Sequence, residues 1–313
     1  MDTLKTDFRK KFDLRVKFEE PLSHYLAYQV GGPADILVFP KNEEELNWIA
    51  EKSEKSNTTI TVIGTGTNLL VLDGGIRGIV VSLHLAFKEI EETKKNNASS
   101  WIRCGGGVSK PHLLEWAIEK GLGGLEFSAG VPGTIGGGIF MNAGTKYGCY
   151  GDILKELRIF DFHTGAHTLS RENVHFGYRE QTAVKESLVL SAVFELIPKK
   201  ASDIRHEVDR IIAERAEKQP LNFPSCGSTF KNPEGYSAGR LIEKTGLKGH
   251  CVGGAEISLK HANFILNKGN ATAQDILTLI DIIKARVFKQ SGIQLECEVI
   301  VLGESSRETK ISN

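Results

Sequence analysis

Apolar and polar positions along this chain follow two rhythms that alternate. Residues 1–20 are charged and mixed, which suits a helical or loose lead-in. Gly31, Gly32 and Pro33 make a turn, and the apolar run 34–39 after them predicts a strand. Asn42 followed by Glu45 is a capping-box pattern, and Leu46, Ile49 and Ala50 space a helix to about Ser56. Strands are expected at 59–63 and 78–83, so this stretch reads as a small α/β lobe. A hairpin over 85–105 with a polar turn at 92–100 comes next, then a helix started by Pro111 that carries Leu114, Trp116, Ala117 and Ile118. Strands at 153–162 and 167–170 pair around the turn 163–166, and another strand spans 186–196.

From Ala201 the spacing lengthens. Ile204, Val208, Ile211 and Ile212 mark a helix that should stop before Pro220. Ser237 caps a short helix over 238–245 that Gly246 ends, and strands are expected at 251–255 and 262–267. Thr272 caps a long helix with Leu277, Ile280, Ile283 and Val287 on one side, and the last strand is 294–302. The change of rhythm sets a domain boundary near 199. The units are 1–198, with lobes of about 1–83 and 84–198, then 199–303, then a polar tail at 304–313.

A chain of 313 residues, 25% charged, is long enough for two or three domains and has the composition of a soluble globular enzyme. Its zero net charge gives no overall field toward nucleic acid or an anionic membrane, so neither partner is expected. The five cysteines are scattered without a Cys-x-x-Cys, which argues against a disulfide framework or zinc site and for a reducing cytoplasm. No apolar run reaches the length of a bilayer span, and the first residues lack a signal-peptide core. His163 and His167 flank a turn rather than share a helix face, so no metal site is expected there.

The most unusual stretch is 123–151, with glycines at 130, 133, 136, 137, 138, 144, 148 and 151 among apolar residues. So many glycines cost folding entropy and call for a reason. Free backbone N–H groups in such a loop cradle anionic oxygens, as of a pyrophosphate; tight packing without a ligand is the other reading. A second glycine loop runs Gly64-Thr65-Gly66-Thr67-Asn68 after a β-branched run. It lacks the third glycine and following helix of a Rossmann fingerprint, and Lys146-Tyr147 is not the Lys-Ser/Thr of a P-loop. Two such loops point to one dinucleotide held in a non-Rossmann way.

Three other stretches carry chemistry. Arg179, in Phe176-Gly-Tyr-Arg-Glu180, is a candidate anion ligand or simply a surface ion-pair partner. The proline-stiffened loop 218–233 is rich in donors and cations and suits positioning. Alternation along 295–301 puts Glu296 and Glu298 on one strand face, which matters only if that face meets a cleft. Cys226-Gly-Ser228 is not a nucleophile elbow, so a hydrolase is disfavoured.

Taken in order, Val30-Gly-Gly-Pro-Ala-Asp35, Gly64-Thr-Gly-Thr-Asn68, Ser128-Ala-Gly-Val-Pro-Gly133 with Gly136-Gly137, Tyr178-Arg179, Lys218-Gln-Pro220, Gly227-Ser-Thr-Phe-Lys-Asn-Pro233, Ala238-Gly-Arg-Leu-Ile242, His261-Ala-Asn-Phe264 and Glu298-Val resemble the UDP-N-acetylenolpyruvoylglucosamine reductase family, in its shorter subtype. The resemblance spans about 28–303. It implies an α+β fold: a two-lobed FAD-binding domain of the vanillyl-alcohol-oxidase type and a C-terminal α+β substrate domain. It further implies NADPH-dependent reduction of UDP-N-acetyl-enolpyruvoylglucosamine to UDP-N-acetylmuramate in peptidoglycan precursor synthesis, with tight, non-covalent FAD and a monomeric enzyme. Gly64, Thr65, Gly66, Thr67 and Asn68, with Ser128, Ala129, Gly130, Val131, Pro132, Gly133, Gly136, Gly137 and Asn142, match the FAD contacts. Arg179 matches the carboxylate-binding arginine, Ser228 the serine acid and Glu298 the catalytic glutamate. Arg215, Lys218, Lys231 and Asn232 are candidates for the UDP phosphates and sugar. The chain departs from the family pattern at Leu26-Ala27, Gln181 and Glu256. An FAD-linked oxidase of the same fold and a non-catalytic flavin-binding protein are the alternatives.

Overall fold

The computed structural model describes residues 1–184 and 187–306. The expected strand start at Glu186 and the 307–313 part of the tail lie outside the described residues.

The lead-in is a helix, Asp2–Phe12, because Leu4, Phe8 and Phe12 recur every four residues and are buried. Burying a phenylalanine such as Phe8 contributes roughly 1.5–3 kcal/mol. Phe8 and Phe12 meet Trp48 of the helix Glu43–Ser56 edge-on, at 5.0 and 5.5 Å between ring centres. Only half of the expected capping box forms. Asn42 accepts from the Glu45 N–H at 3.0 Å, while the Glu45 carboxylate turns to the Lys41 N–H and Arg15.

These helices cover a sheet ordered Val16–Pro21, Pro33–Val38, Ile76–Ser82, Ile60–Ile63, antiparallel at the first pair and parallel at the other two. Its inner strands carry apolar runs, 36–38 and 79–81, because both faces are buried there: Ile79 and Val81 join one core, Val80 another. The second sheet is an antiparallel path Gly165–Ser170, Leu154–Asp161, Ser187–Pro198, Ser100–Gly105, Ile90–Lys95. Helices Lys110–Lys120 and Ala201–Lys218 pack on it, and Ile204, Val208 and Ile211 enter its core while Ile212 is exposed. Phe160, Leu188 and Leu190 of this sheet complete the first lobe's core, so the two lobes share one apolar seam.

The C-terminal unit joins helices Ala238–Lys244 and Ala273–Ser291 to the three strands Cys251–Val252, Ala255–Ile257 and Ile265–Asn267. The expected strand at 251–255 is a hairpin, because Gly253 takes φ 52° and turns the chain. Thr272 and Asp275 complete a capping box at the long helix. The expected strand at 294–302 is regular only over Ile300–Leu302, which pairs in parallel with a short strand, Leu69–Val71, that the sequence rhythm does not reveal. This is the expected α+β arrangement. Among the described residues no helix is long and apolar enough to cross a membrane.

Candidate active site

A cavity of about 1010 Å³ is lined by residues from both lobes and the C-terminal unit. Its floor is backbone. The loop after strand Ile60–Ile63 runs Gly64 to Asn68 along it, opposite Val131, Pro132, Gly133, Gly136 and Gly137. Gly66 has φ 63°, and a Cβ there would stand 2.4 Å from Leu26 Cδ2 and 2.9 Å from the Tyr25 carbonyl oxygen. Gly133 has φ 111°, and a Cβ there would meet Thr67 Oγ1 at 2.9 Å. The two loops therefore approach each other to within a side chain's width. Thr65 Oγ1 is buried with no hydrogen-bond partner. Thr134 caps the short helix Ile135–Phe140 by accepting from the Gly137 N–H.

Ser128, Ala129, Gly130 and Asn142 do not line the cavity. Ser128 Oγ donates to the Leu125 carbonyl at 2.8 Å. Gly130 leaves room for Arg215, whose Nε would lie 3.1 Å from a Cβ at that position. Asn142 donates to the Gly177 carbonyl at 2.8 Å and accepts from the Gly151 N–H at 3.0 Å, bracing the hairpin that carries Arg179.

The other end is made of side chains. Arg179 sits in the turn between Phe176–Gly177 and Glu180–Gln181 with φ 61°, a backbone state that costs an arginine about 1–3 kcal/mol and persists only when its surroundings enforce it. Its Nε donates to Glu298 Oε1 at 2.8 Å and its Nη2 to the Gly144 carbonyl at 2.9 Å. Burial pushes the Glu298 carboxyl above its usual range, against the opposing pull of Arg179 and Lys231. Ser228 lines the same cavity. Its neighbours are clamped by Asn263, which binds the Phe230 N–H and carbonyl at 3.0 and 2.8 Å. The Thr229 carbonyl in turn accepts from the Glu298 N–H at 2.9 Å and the Val299 N–H at 3.4 Å. Asn68 Nδ2 donates to the Glu298 carbonyl at 2.9 Å, tying this corner to the first glycine loop.

Two consecutive N–H groups on one carbonyl interrupt the alternation, so Glu296 and Glu298 do not share a face. The Glu296 side chain is 72% exposed and bonds Lys231 Nζ at 2.5 Å, while that of Glu298 is 16% exposed. Of the candidate phosphate and sugar ligands, Arg215 and Asn232 line the cavity. Arg215 Nε is buried without a partner, and burial lowers its pKa. Lys218 is held by Glu214 at 2.9 Å and Lys231 by Glu296, and neither lines the cavity.

Lys110, Tyr178 and Gln219 also line the cavity without having been singled out as ligands. Lys110 had one signal in the sequence: a lysine opening a helix, where the dipole disfavours a cation. Gln181, a departure from the family pattern, is buried and accepts from the Ala183 and Val184 N–H groups, a local turn role.

Residues 219–302 match the C-terminal domain of UDP-N-acetylenolpyruvoylglucosamine reductase, and 34–169 match the FAD binding domain. The UDP-N-acetylenolpyruvoylglucosamine reductase of Moorella thermoacetica is 43% identical over 291 residues, covering 93% of this chain and 94% of that protein. The protein of the same name from Clostridioides difficile is 43% identical over 92% of this chain and 94% of its own length. The crystal structure of the reductase from Thermus caldophilus superposes with a TM-score of 0.79 at 34% identity, covering 92% of this chain and 99% of that one. The chain belongs to the UDP-N-acetylenolpyruvoylglucosamine reductase family.

Proposed function

We propose that this protein is an FAD-dependent reductase that converts UDP-N-acetylenolpyruvoylglucosamine to UDP-N-acetylmuramate with NADPH as the electron donor, a step of peptidoglycan precursor synthesis in the cytoplasm. The observation that carries the reading is the partly buried Arg179–Glu298 pair, set in one cavity with Ser228 and the two glycine loops. The cavity residues fit a tight, non-covalent FAD: Gly64 to Asn68 and Val131 to Thr134 line its floor, and the buried Thr65 Oγ1 there has no partner of its own. The cysteines at 104, 149, 226, 251 and 297 are free, in support of a reducing compartment. We retain the division into 1–198 and 199–303 as the domain proposal, with the helix Ala201–Lys218 as an arm leaning on the second lobe, and a monomer as the working unit.

When bound and reduced by NADPH, FAD would supply the electron pair for reduction at the terminal vinylic carbon C3 of the enolpyruvyl ether. The chain's residues do the rest. Arg179 has N–H donors beyond those given to Glu298 and Gly144, and these hold the substrate carboxylate as negative charge builds toward it. Glu298 fixes the guanidinium and, with its acidity weakened by burial, keeps a proton nearer neutral pH than an exposed carboxyl does. Ser228 Oγ delivers the proton to C2, giving the lactyl ether. Arg215 and Asn232 meet the diphosphate and sugar.

The test is to mix purified protein with NADPH and the enolpyruvyl sugar nucleotide and analyse the product. The lactyl ether, with one NADPH consumed per product, is the expected result. Oxygen consumption with no lactyl ether would favour the FAD-linked oxidase alternative, and a flavoprotein without turnover the binding protein.

A further inference from the structure

Lys110 is a cation in surroundings that disfavour cations. It opens the helix Lys110–Lys120, the end at which the macrodipole is positive. It is 5% exposed. A Cβ placed on Gly138 would stand 2.9 Å from Lys110 Cε and 2.9 Å from Tyr150 Cε2, so the stem is wedged between that glycine and the tyrosine ring. Nζ donates to the Pro132 carbonyl at 3.0 Å, and among the described residues it forms no ion pair. The charges that act on it are cations: burial, Arg179 and Arg215 together push its pKa down to about 8. The Arg179 charge is answered by Glu298, whereas Arg215 Nε, also buried, has no partner. A buried ammonium without a counter-charge costs several kcal/mol, and a neutral side chain of similar length would avoid that cost. A cation kept in such a place implies an anion that arrives from outside the chain.

The geometry also says where that anion sits. The point at which Gly133 would carry a Cβ is 3.2 Å from Lys110 Nζ and 2.9 Å from Thr67 Oγ1. The ammonium therefore lies at the seam where the two glycine loops meet, with the unpartnered Thr65 hydroxyl in the adjoining loop. We propose that Lys110 is a positioning residue for the cofactor: its ammonium pairs with the diphosphate of FAD held between the glycine loops, a contact that supplements the backbone cradle with a full charge. This rests on the FAD reading above. A second diphosphate, that of the sugar nucleotide, is the rival source of the same chemistry, and the experiment separates the two.

The full-length protein is prepared with its flavin and, after stripping, without it, as wild type, Lys110→Gln and Lys110→Met. FAD and riboflavin are titrated into the stripped proteins by fluorescence, and melting is followed with and without FAD. A charge-assisted hydrogen bond of typical strength predicts that both variants bind FAD roughly 10–100-fold more weakly. Riboflavin, which has no phosphate, should bind wild type and variants alike. The melting temperatures should cross: the stripped variants melt above stripped wild type, because an unpaired buried charge is gone, and the FAD-loaded variants melt below loaded wild type. Salt should weaken FAD binding more steeply in wild type than in the variants. A lysine with only a structural role would lower both melting temperatures and leave the FAD-to-riboflavin ratio unchanged, which overturns the proposal. FAD affinity preserved in both variants, with KM for the sugar nucleotide raised instead, assigns Lys110 to the substrate diphosphate and overturns it as well. Wild-type protein that takes up no FAD sinks the FAD reading itself, a result distinct from variants that bind FAD as wild type does.

Discussion

The two ends of the cavity are built on different principles. The floor at 64–68 and 131–137 is backbone: glycines in left-handed conformations bring two loops together, and each loop is continuous in sequence. The opposite corner is made of side chains from three distant segments, Arg179, Ser228 and Glu298, joined only by folding. On the proposed reading the floor recognises shape and oxygen lone pairs, which short loops of chain can do. The corner then handles the substrate's charge and a proton, for which groups of different chemistry must be assembled. Damage to the corner should therefore abolish turnover and spare the flavin, while damage to the floor should do the reverse.

The largest effect is expected from Ser228→Ala. Losing a positioned proton donor should lower turnover by roughly 10²–10⁴-fold, with flavin content and melting temperature unchanged. Loss of flavin in this variant would erase the distinction between the two ends. Arg179→Lys comes next: it keeps the charge and loses the planar fork, so turnover should fall by roughly 10²–10³-fold with the fold intact. Near-wild-type kinetics would make Arg179 a mere structural partner of Glu298. Gly66→Ala attacks the floor. Its Cβ would need the Leu26 backbone, 2.8 Å away, to move at a residue already at φ 63°, which costs about 1–3 kcal/mol or more. Purified variant should carry less FAD and melt earlier, and kcat per bound flavin should stay near that of wild type.

The smallest effect sharpens the comparison through pH. Burial raises the Glu298 carboxyl above its ordinary 4.5. The folded state then keeps a proton that the unfolded chain has lost, so this group's contribution to stability is fully present below 4.5 and fades as pH rises from 4.5 through the raised folded value. Glu298→Gln removes that dependence and can still accept from Arg179. The melting temperature of the variant relative to wild type should thus be higher at pH 7 than at pH 4. A difference that does not change between these pH values would mean Glu298 is not held in a raised state.

The same contrast explains what could be read from the chain. Thr272 at the head of the long helix and Pro111 in the first turn of its helix are local signals, and the structure realises both. The pairing of Leu69–Val71 with Ile300–Leu302 had no local signal, because three residues are too few to show a period and the partners lie far apart in sequence. Alternation alone put Glu296 and Glu298 together. The irregularity at the Thr229 carbonyl separates them, and only the family resemblance had picked out Glu298. Lys218 and Lys231 are ligand candidates by composition; the ion pairs each makes with a glutamate, and their place outside the cavity lining, are features that charge counting cannot give. The lysine at the head of the helix Lys110–Lys120 is only a weak signal in the sequence; its burial in the fold gives it weight.

The strand Ile300–Leu302 also sets an order of events. Glu298 reaches the cavity only when that strand docks beside Leu69–Val71, and the Ile300 N–H closes onto the Asn68 carbonyl at 3.0 Å. Synthesis proceeds from the N-terminus, so a nascent chain has both glycine loops outside the ribosome long before residue 298 is made. On the proposed reading such a chain has the loops to capture a dinucleotide and lacks the carboxylate that works with it. Chemistry is then deferred until the late segment has threaded back to the first lobe, and premature termination yields a species without Glu298.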